Sequence, residues 1–179
     1  MRALALALVA ALASAGCLSA PAPGPRGPGG APDAGAAAPG WTFVDTGGEE
    51  HSRETAAGAP AVLFFMATWC GSCRSKAAWL DDAHAEYAPR GVRFYSIGQD
   101  PTEGDADLER WKEAHAHPWP HGRDPDRAVQ RAFGITHQSS FVVLDAQGHV
   151  VQRWGYPGAS EQALRAAIDA ALAAGEGIG

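Results

Sequence analysis

Six consecutive apolar residues, Ala61-Val-Leu-Phe-Phe-Met66, run through Ala-Thr-Trp69 into Cys70-Gly-Ser-Cys73. A strand that is apolar at every position must be covered on both faces, which puts it inside a sheet rather than at its rim. Behind the cysteines, residues 74–87 carry apolar side chains at Ala77, Leu80, Ala83 and Tyr87 with charges between them, and Pro89 and Gly91 end the pattern. That is helical spacing. A buried strand passing directly into a helix is the start of a crossover unit and selects an α/β architecture.

The remaining segments extend this layout. Residues 41–45 alternate as a short edge strand does, and residues 92–97 read as a second strand. A helix is expected from about Asp105 to His115 with Leu108 and Trp111 on one side, followed by a Pro-broken loop over 117–122. Asp124-Pro125 reads as the N-cap and first helical residue of a short helix to Phe133, closed by Gly134. Residues 141–144 and 149–154 flank Asp-Ala-Gln-Gly as a hairpin. Ser160 caps a last helix whose Leu164, Ala167, Ile168, Ala171 and Leu172 share one face. The expected order is β, β, α, β, α, α, β, β, α: a central mixed sheet flanked by helices, with a small helical insertion.

The first forty residues have a different character. Arg2 precedes a run of Ala, Leu, Val and Ser up to Gly16, shorter than the roughly 20 apolar residues of a spanning helix, and residues 1–16 read as a signal peptide. Ser14-Ala15-Gly16 before Cys17 resembles the lipobox of bacterial lipoproteins, which predicts lipidation at Cys17; cleavage at an Ala-x-Ala-like site is the alternative. Cysteine parity favours the lipid, because three cysteines leave one over once a pair forms. Residues 20–40 contain seven Ala, six Pro and six Gly and cannot build a core. Residues 17–40 are therefore expected to be anchor and linker, 41–175 the folded domain and 176–179 a tail. Fourteen Lys+Arg against twenty Asp+Glu give a net charge of -6, with no basic stripe to follow phosphates, so nucleic acid is not an expected partner.

The chemistry lies in Trp69-Cys70-Gly71-Ser72-Cys73. At a strand-to-helix junction Cys70 meets the unpaired N–H groups and dipole of a helix start, which stabilise a thiolate. Cys73 falls in the same turn, where the sulfurs can bridge with little backbone movement. The spacing suits exchange: Cys70 attacks a disulfide, a mixed disulfide forms, and Cys73 resolves it. Half a zinc site is the competing reading, but no second Cys pair or fitting His pair completes it. A structural disulfide closing so small a loop would constrain little of the unfolded chain. The Thr-x-x-Cys arrangement of peroxiredoxins is absent.

Phe65-Met-Ala-Thr-Trp-Cys-Gly-Ser-Cys-Arg74, Phe133-Gly-Ile-Thr-His-Gln-Ser-Ser-Phe-Val-Val-Leu-Asp145, Gly148 and the final Ser-Glu-Gln-Ala-Leu helix resemble the thioredoxin superfamily. Within it, the chain is most similar to the TlpA/ResA/DsbE-like exported thiol-disulfide oxidoreductases. The resemblance implies a thioredoxin-like fold acting in the cell envelope as a monomer without cofactor or metal. Its partners would be protein thiols and disulfides and an upstream redox protein. It also implies docking of the client by Trp69, Gly71, Ser72 and the backbone of Gln138, and it puts Ser139 where the family has a cis-proline opposite the cysteines. That loop is then either trans and reshaped or held cis by its surroundings. Lys76 stands where relatives have a Glu that assists the second Cys, and Phe64 where thioredoxin has an Asp. With both acids replaced, Arg74 and Lys76 would favour thiolates and a more oxidising pair, and His137 would tune the thiol pKa. The competing class is a binding module, either a copper carrier using Cys70, Cys73 and His137 or a docking domain with an inert disulfide. His115, His117 and His121 are expected to be solvated.

Overall fold

The computed structural model describes residues 32–176; the expected signal peptide, Cys17 and the end of the tail lie outside them. The strands are β1 (Thr42–Asp45), β2 (Glu50–Ser52), β3 (Ala61–Met66), β4 (Arg93–Gly98), β5 (His121–Arg123), β6 (Ser140–Leu144) and β7 (Val150–Trp154). The helices are α1 (Gly71–Tyr87), α2 (Asp105–Ala114), α3 (Ala128–Ala132) and α4 (Glu161–Glu176). One mixed sheet has the order β2-β1-β5-β4-β3-β6-β7. The interior strand β3 runs parallel to β4 and antiparallel to β6.

All six side chains of β3 are buried, and their alternation builds a core on each face of the sheet. Val62, Phe64 and Met66 pack with Ala77 and Leu80 of α1 and Leu164 and Ile168 of α4. Ala61, Leu63 and Phe65 pack on the other side with Trp41, Tyr95, Val129 and Phe133. Each large apolar side chain hidden this way contributes about 1.5–3 kcal/mol, and β3 serves both layers at once. No helix among the described residues is long and apolar enough to cross a membrane.

The layout matches the expected mixed α/β sheet, with corrections at its polar margins. Residues 41–45 do not form the edge: β1 lies between β2 and β5, and β2 is the rim. Neither Glu50–Ser52 nor His121–Arg123 carries an apolar repeat, so neither announces itself; each is a strand because its backbone pairs with β1. The first helix starts at Gly71 with Cys70 as its N-cap, the helix start expected at that cysteine. The short helix begins at Ala128, not at Pro125, although the Asp124 carboxylate still accepts from the N–H groups of Val129 and Gln130. Upstream of residue 41, Gly35 N–H donates to Val150 O at 2.7 Å and Ala38 N–H to Gly148 O at 2.8 Å. Ala38 is buried against the core, so the folded body includes the last residues of the Pro/Gly/Ala-rich segment.

Gly122 is what allows β5 to fit. A Cβ there would lie 2.3 Å from Val44 O and 2.4 Å from the Phe43 ring, and neither backbone nor buried ring can retreat cheaply. Gly122→Ala should destabilise the domain by about 1–3 kcal/mol, seen as a lower urea midpoint at constant m-value; an unchanged midpoint would contradict this packing.

Candidate functional site

Where β3 leaves the sheet the chain turns through Ala67-Thr-Trp69 and enters α1. Cys70 is the N-cap of that helix, extended at φ -74 and ψ 113, and its sulfur accepts the N–H of Cys73 at 3.1 Å. The Ser72 hydroxyl lies 3.2 Å from the same sulfur. Cys70 and Cys73 form a disulfide with their Cα atoms 5.2 Å apart. The residue expected to hold a thiolate therefore sits where helix-start N–H groups and the dipole favour negative charge. Cys70 is 3% exposed and Cys73 fully buried, whereas Trp69 beside them is 58% exposed.

Two acids on the loop after β4 hold this turn, and sequence reasoning missed both. Asp100 accepts the Trp69 indole N–H at 2.7 Å. The buried Glu103 accepts the Thr68 N–H at 2.8 Å, and the Thr68 hydroxyl as well. Hydrogen bonds from the Thr102 hydroxyl and amide, and then from Trp69, hold the Asp100 carboxyl below the usual carboxylate range. These partners lie 31 and 35 residues from the motif, with no local pattern to link them; the one available signal is their place just past a buried strand that neighbours β3.

Arg74 is exposed and folds back, its guanidinium donating to Thr68 O at 3.3 Å. Lys76 is half-buried, and loss of solvation lowers its ammonium pKa. In the loop where the resemblance implied a cis-proline, Gln138–Ser139 is trans, since the cis bond among the described residues is Tyr156–Pro157, and Ser139 takes φ 64 in the left-handed region. Of the two possibilities for that loop, the reshaped trans form is the one present. The Ser139 side chain is buried and its hydroxyl donates to Pro157 O at 3.4 Å, while Ser140 donates to His137 O at 2.7 Å. The exposed His137 ring meets the Thr136 hydroxyl at 2.9 Å. The structure thus brings Cys70, Cys73 and Ser72 together, with Trp69 and Arg74 around them, and does not join His137 to the sulfurs. Among the described residues, the group whose ligand atoms converge within 4.8 Å is Asp45, Glu49 and His51, not Cys70, Cys73 and His137.

The histidine-rich stretch contradicts expectation most. His117 and His121 are 3% and 0% exposed rather than solvated, and both stack on Trp119. His121 Nδ1–H donates to Trp119 O at 3.0 Å, which leaves its Nε2 to accept from His117 Nδ1–H at 3.1 Å. His117 Nε2 lies 3.4 Å from Ala77 O, beneath α1. Burial is the main cause that lowers His117 to about 3 and His121 to about 4.

The comparisons agree with this geometry. The model of the AhpC/TSA family matches residues 34–153. The thiol-disulfide oxidoreductase ResA of Bacillus thuringiensis subsp. konkukian is 21% identical over 115 residues, which are 64% of this chain and 65% of that protein. The chain thus spans somewhat less than two thirds of that curated relative. A thiol:disulfide interchange protein of the thioredoxin family from Chlorobium tepidum TLS superposes with a TM-score of 0.67 at 24% identity, covering 76% of this chain and 96% of that one. A secreted Mycobacterium tuberculosis disulfide oxidoreductase homologous to E. coli DsbE superposes at 0.62 with 22% identity, covering 73% and 95%. The fold is thioredoxin-like.

The buried imidazoles carry a pH prediction. Their folded pKa values lie below the unfolded 6.5, so their contribution to stability is complete above pH 6.5. It is lost as pH falls toward 4 and then 3, where only the unfolded chain binds the protons. The expected slope is on the order of 1 kcal/mol per pH unit per imidazole. Urea midpoints should fall between pH 7 and 4.5, and His117→Phe, which keeps a ring on Trp119, should flatten the fall; identical profiles would refute the assignment.

Proposed function

The chain belongs to the AhpC/TSA family, and from that premise and the geometry of its Cys70–Cys73 turn we propose that it exchanges dithiol for disulfide with other proteins. The observation that carries this reading is the capped sulfur: the Cys73 N–H aimed at Cys70 Sγ at a helix start stabilises the same atom as attacking thiolate and as leaving group. Ala67 stands three residues before Cys70, where a peroxidase would carry its threonine, which favours exchange over peroxide reduction.

In the reducing direction the Cys70 thiolate attacks one sulfur of a client disulfide. The client S–S bond breaks, its second sulfur leaves as a thiolate and takes a proton, and a Cys70–client disulfide remains. Cys73 then loses its proton and attacks Cys70 Sγ. The client departs as a dithiol, and the Cys70–Cys73 bond stores the two-electron oxidation until an upstream redox partner removes it. The oxidising direction is the reverse of these steps. Trp69, Gly71 and Ser72 form the docking rim, joined by Gln138, with the buried Ser139 shaping the backbone beneath it. Arg74, folded onto the turn, stabilises the thiolate and so the reduced pair, and Lys76 adds to this with its desolvated charge. His137, on the docking loop, tunes the thiols once a client excludes water.

The working place we assign is the cell envelope, reached by the signal peptide over residues 1–16, with a lipid on Cys17 and the following Pro/Gly/Ala-rich stretch as tether. That one structural neighbour is secreted supports this reading. The domain acts as a monomer.

Cys70→Ser should abolish reduction of a protein disulfide such as insulin, and Cys73→Ser should accumulate mixed disulfides that resist resolution. Full activity in Cys70→Ser would end the proposal. Equilibration in glutathione buffers should place the midpoint above the ~-270 mV of thioredoxin, and Arg74→Gln should move it lower.

A further inference from the structure

Asp45, Glu49 and His51 flank the turn between β1 and β2, and one ligand atom of each lies within 4.8 Å of the other two. The group is more than a pair of acids, because His51 enters it from the core. That residue is 7% exposed, pairs with Phe43 across the two strands, and packs its ring with centroids 5.3 Å from both Phe43 and Tyr95. The packing leaves Nε2 directed at Asp45 Oδ2, 3.0 Å away. The other oxygen of Asp45, Oδ1, accepts the N–H groups of Gly47 and Glu49, each at 2.9 Å. Such outer hydrogen bonds are what orient a ligating carboxylate, and here they hold Oδ2 beside the imidazole. Glu49 is exposed and lines, with His51, an open cavity of about 340 Å³. Two donors are thus fixed by the fold, and the third stands on the side open to solvent.

We propose that this turn binds a divalent transition-metal ion of the zinc class, with His51 Nε2, Asp45 Oδ2 and a Glu49 carboxylate oxygen as ligands and water completing the shell. Nitrogen and oxygen donors held about 2.0–2.2 Å from one Zn²⁺ stand about 3.0–3.4 Å apart across right or tetrahedral angles. The His51–Asp45 separation of 3.0 Å already has that value, and rotation of the exposed Glu49 side chain closes the third side. A carboxylate can only accept, so His51 Nε2 carries the proton in the absence of metal; when the ion takes that place, the proton moves to Nδ1. The imidazole selects Zn²⁺, Ni²⁺ or Cu²⁺ over Mg²⁺ and Ca²⁺, which take oxygen donors. Arg93, the arginine lining the same cavity, is turned to Thr55 O. β1 runs antiparallel to β5, which is parallel to β4 as β4 is to β3, so the turn after β1 lies toward the end of the sheet away from Cys70. The site is therefore separate from the exchange chemistry, and the ion acts on the rim of the sheet by joining the end of β1 to β2.

Titration calorimetry of the full chain with zinc chloride tests this, with Cys70 and Cys73 kept oxidised so that their thiolates do not compete. Wild type should bind the ion saturably, and Glu49→Ala and Asp45→Asn should each weaken the binding at least about tenfold. Mg²⁺ or Ca²⁺ at the same concentration should not displace the zinc. Zinc should also raise the urea midpoint of wild type more than that of Glu49→Ala, since an ion bound only by the folded chain stabilises it in proportion to its occupancy. Absence of saturable binding would overturn the site, and so would binding of equal strength in wild type and both variants, which would put the ion elsewhere. Displacement by Mg²⁺ or Ca²⁺ would overturn the place given to the imidazole. Glu49 is exposed, so Glu49→Ala leaves the core intact, and the comparison with wild type decides even if Asp45→Asn fails to fold.

Discussion

Burial of β3 on both faces is the constraint from which the site follows. A strand with every side chain hidden cannot shift register or turn over without exposing one of its two cores, so its end is fixed in space. α1 continues from that end under the same packing, since Ala77 and Leu80 belong to the cluster that holds Val62, Phe64 and Met66. Cys70 lies at the junction of these two packed elements. Its direction is set by the strand and its electrostatics by the helix.

The turn between them is short, and polar bonds from a neighbouring strand's loop complete it. β4 runs parallel to β3, so both release their chains at the same end of the sheet, and Asp100 and Glu103 arrive beside Thr68 and Trp69 as a consequence. Glu103 holds the backbone just before the cysteines. Asp100 holds the indole that stands exposed next to Cys70. Parallel topology thus gathers at one end of the sheet the nucleophile and the residues that aim it.

This division also explains which parts of the molecule could be read from the chain. The continuous apolar run, the helical repeat behind it and the paired cysteines are local signals, and each led to the element or bond present. β2 and β5 escaped because Glu50-His51-Ser52 and His121-Gly-Arg123 owe their strand form to partners rather than to pattern. His117 and His121 were misjudged for a related reason. Their composition suggests surface, but the fold supplies Trp119 to stack on and a carbonyl to receive the Nδ1–H of His121. A neutral imidazole whose Nδ1–H is so satisfied can be buried at modest cost. Asp100 and Glu103 were invisible because their meaning lies in contacts between neighbouring strands' loops.

The loop at Ser139 shows how one geometry is replaced by another. The family resemblance implied a cis-proline where Ser139 stands, a residue whose ring would fix the backbone and remove a donor. Ser139 instead takes a left-handed conformation that costs an ordinary residue about 1–2 kcal/mol, with its side chain fully buried. The segment after β7 holds it there. The Ser139 hydroxyl donates to Pro157 O, and Gly158 comes so close that a Cβ on it would lie 2.1 Å from Ser139 O and 2.8 Å from the Lys76 stem. A glycine at positive φ thus lets one loop press on another, and Lys76 of α1 is pinned in the same contact. The shape of the loop at Ser139 is therefore set by tertiary contact from residues 157–158, which ties that loop to Lys76 of α1, the helix that carries Cys73.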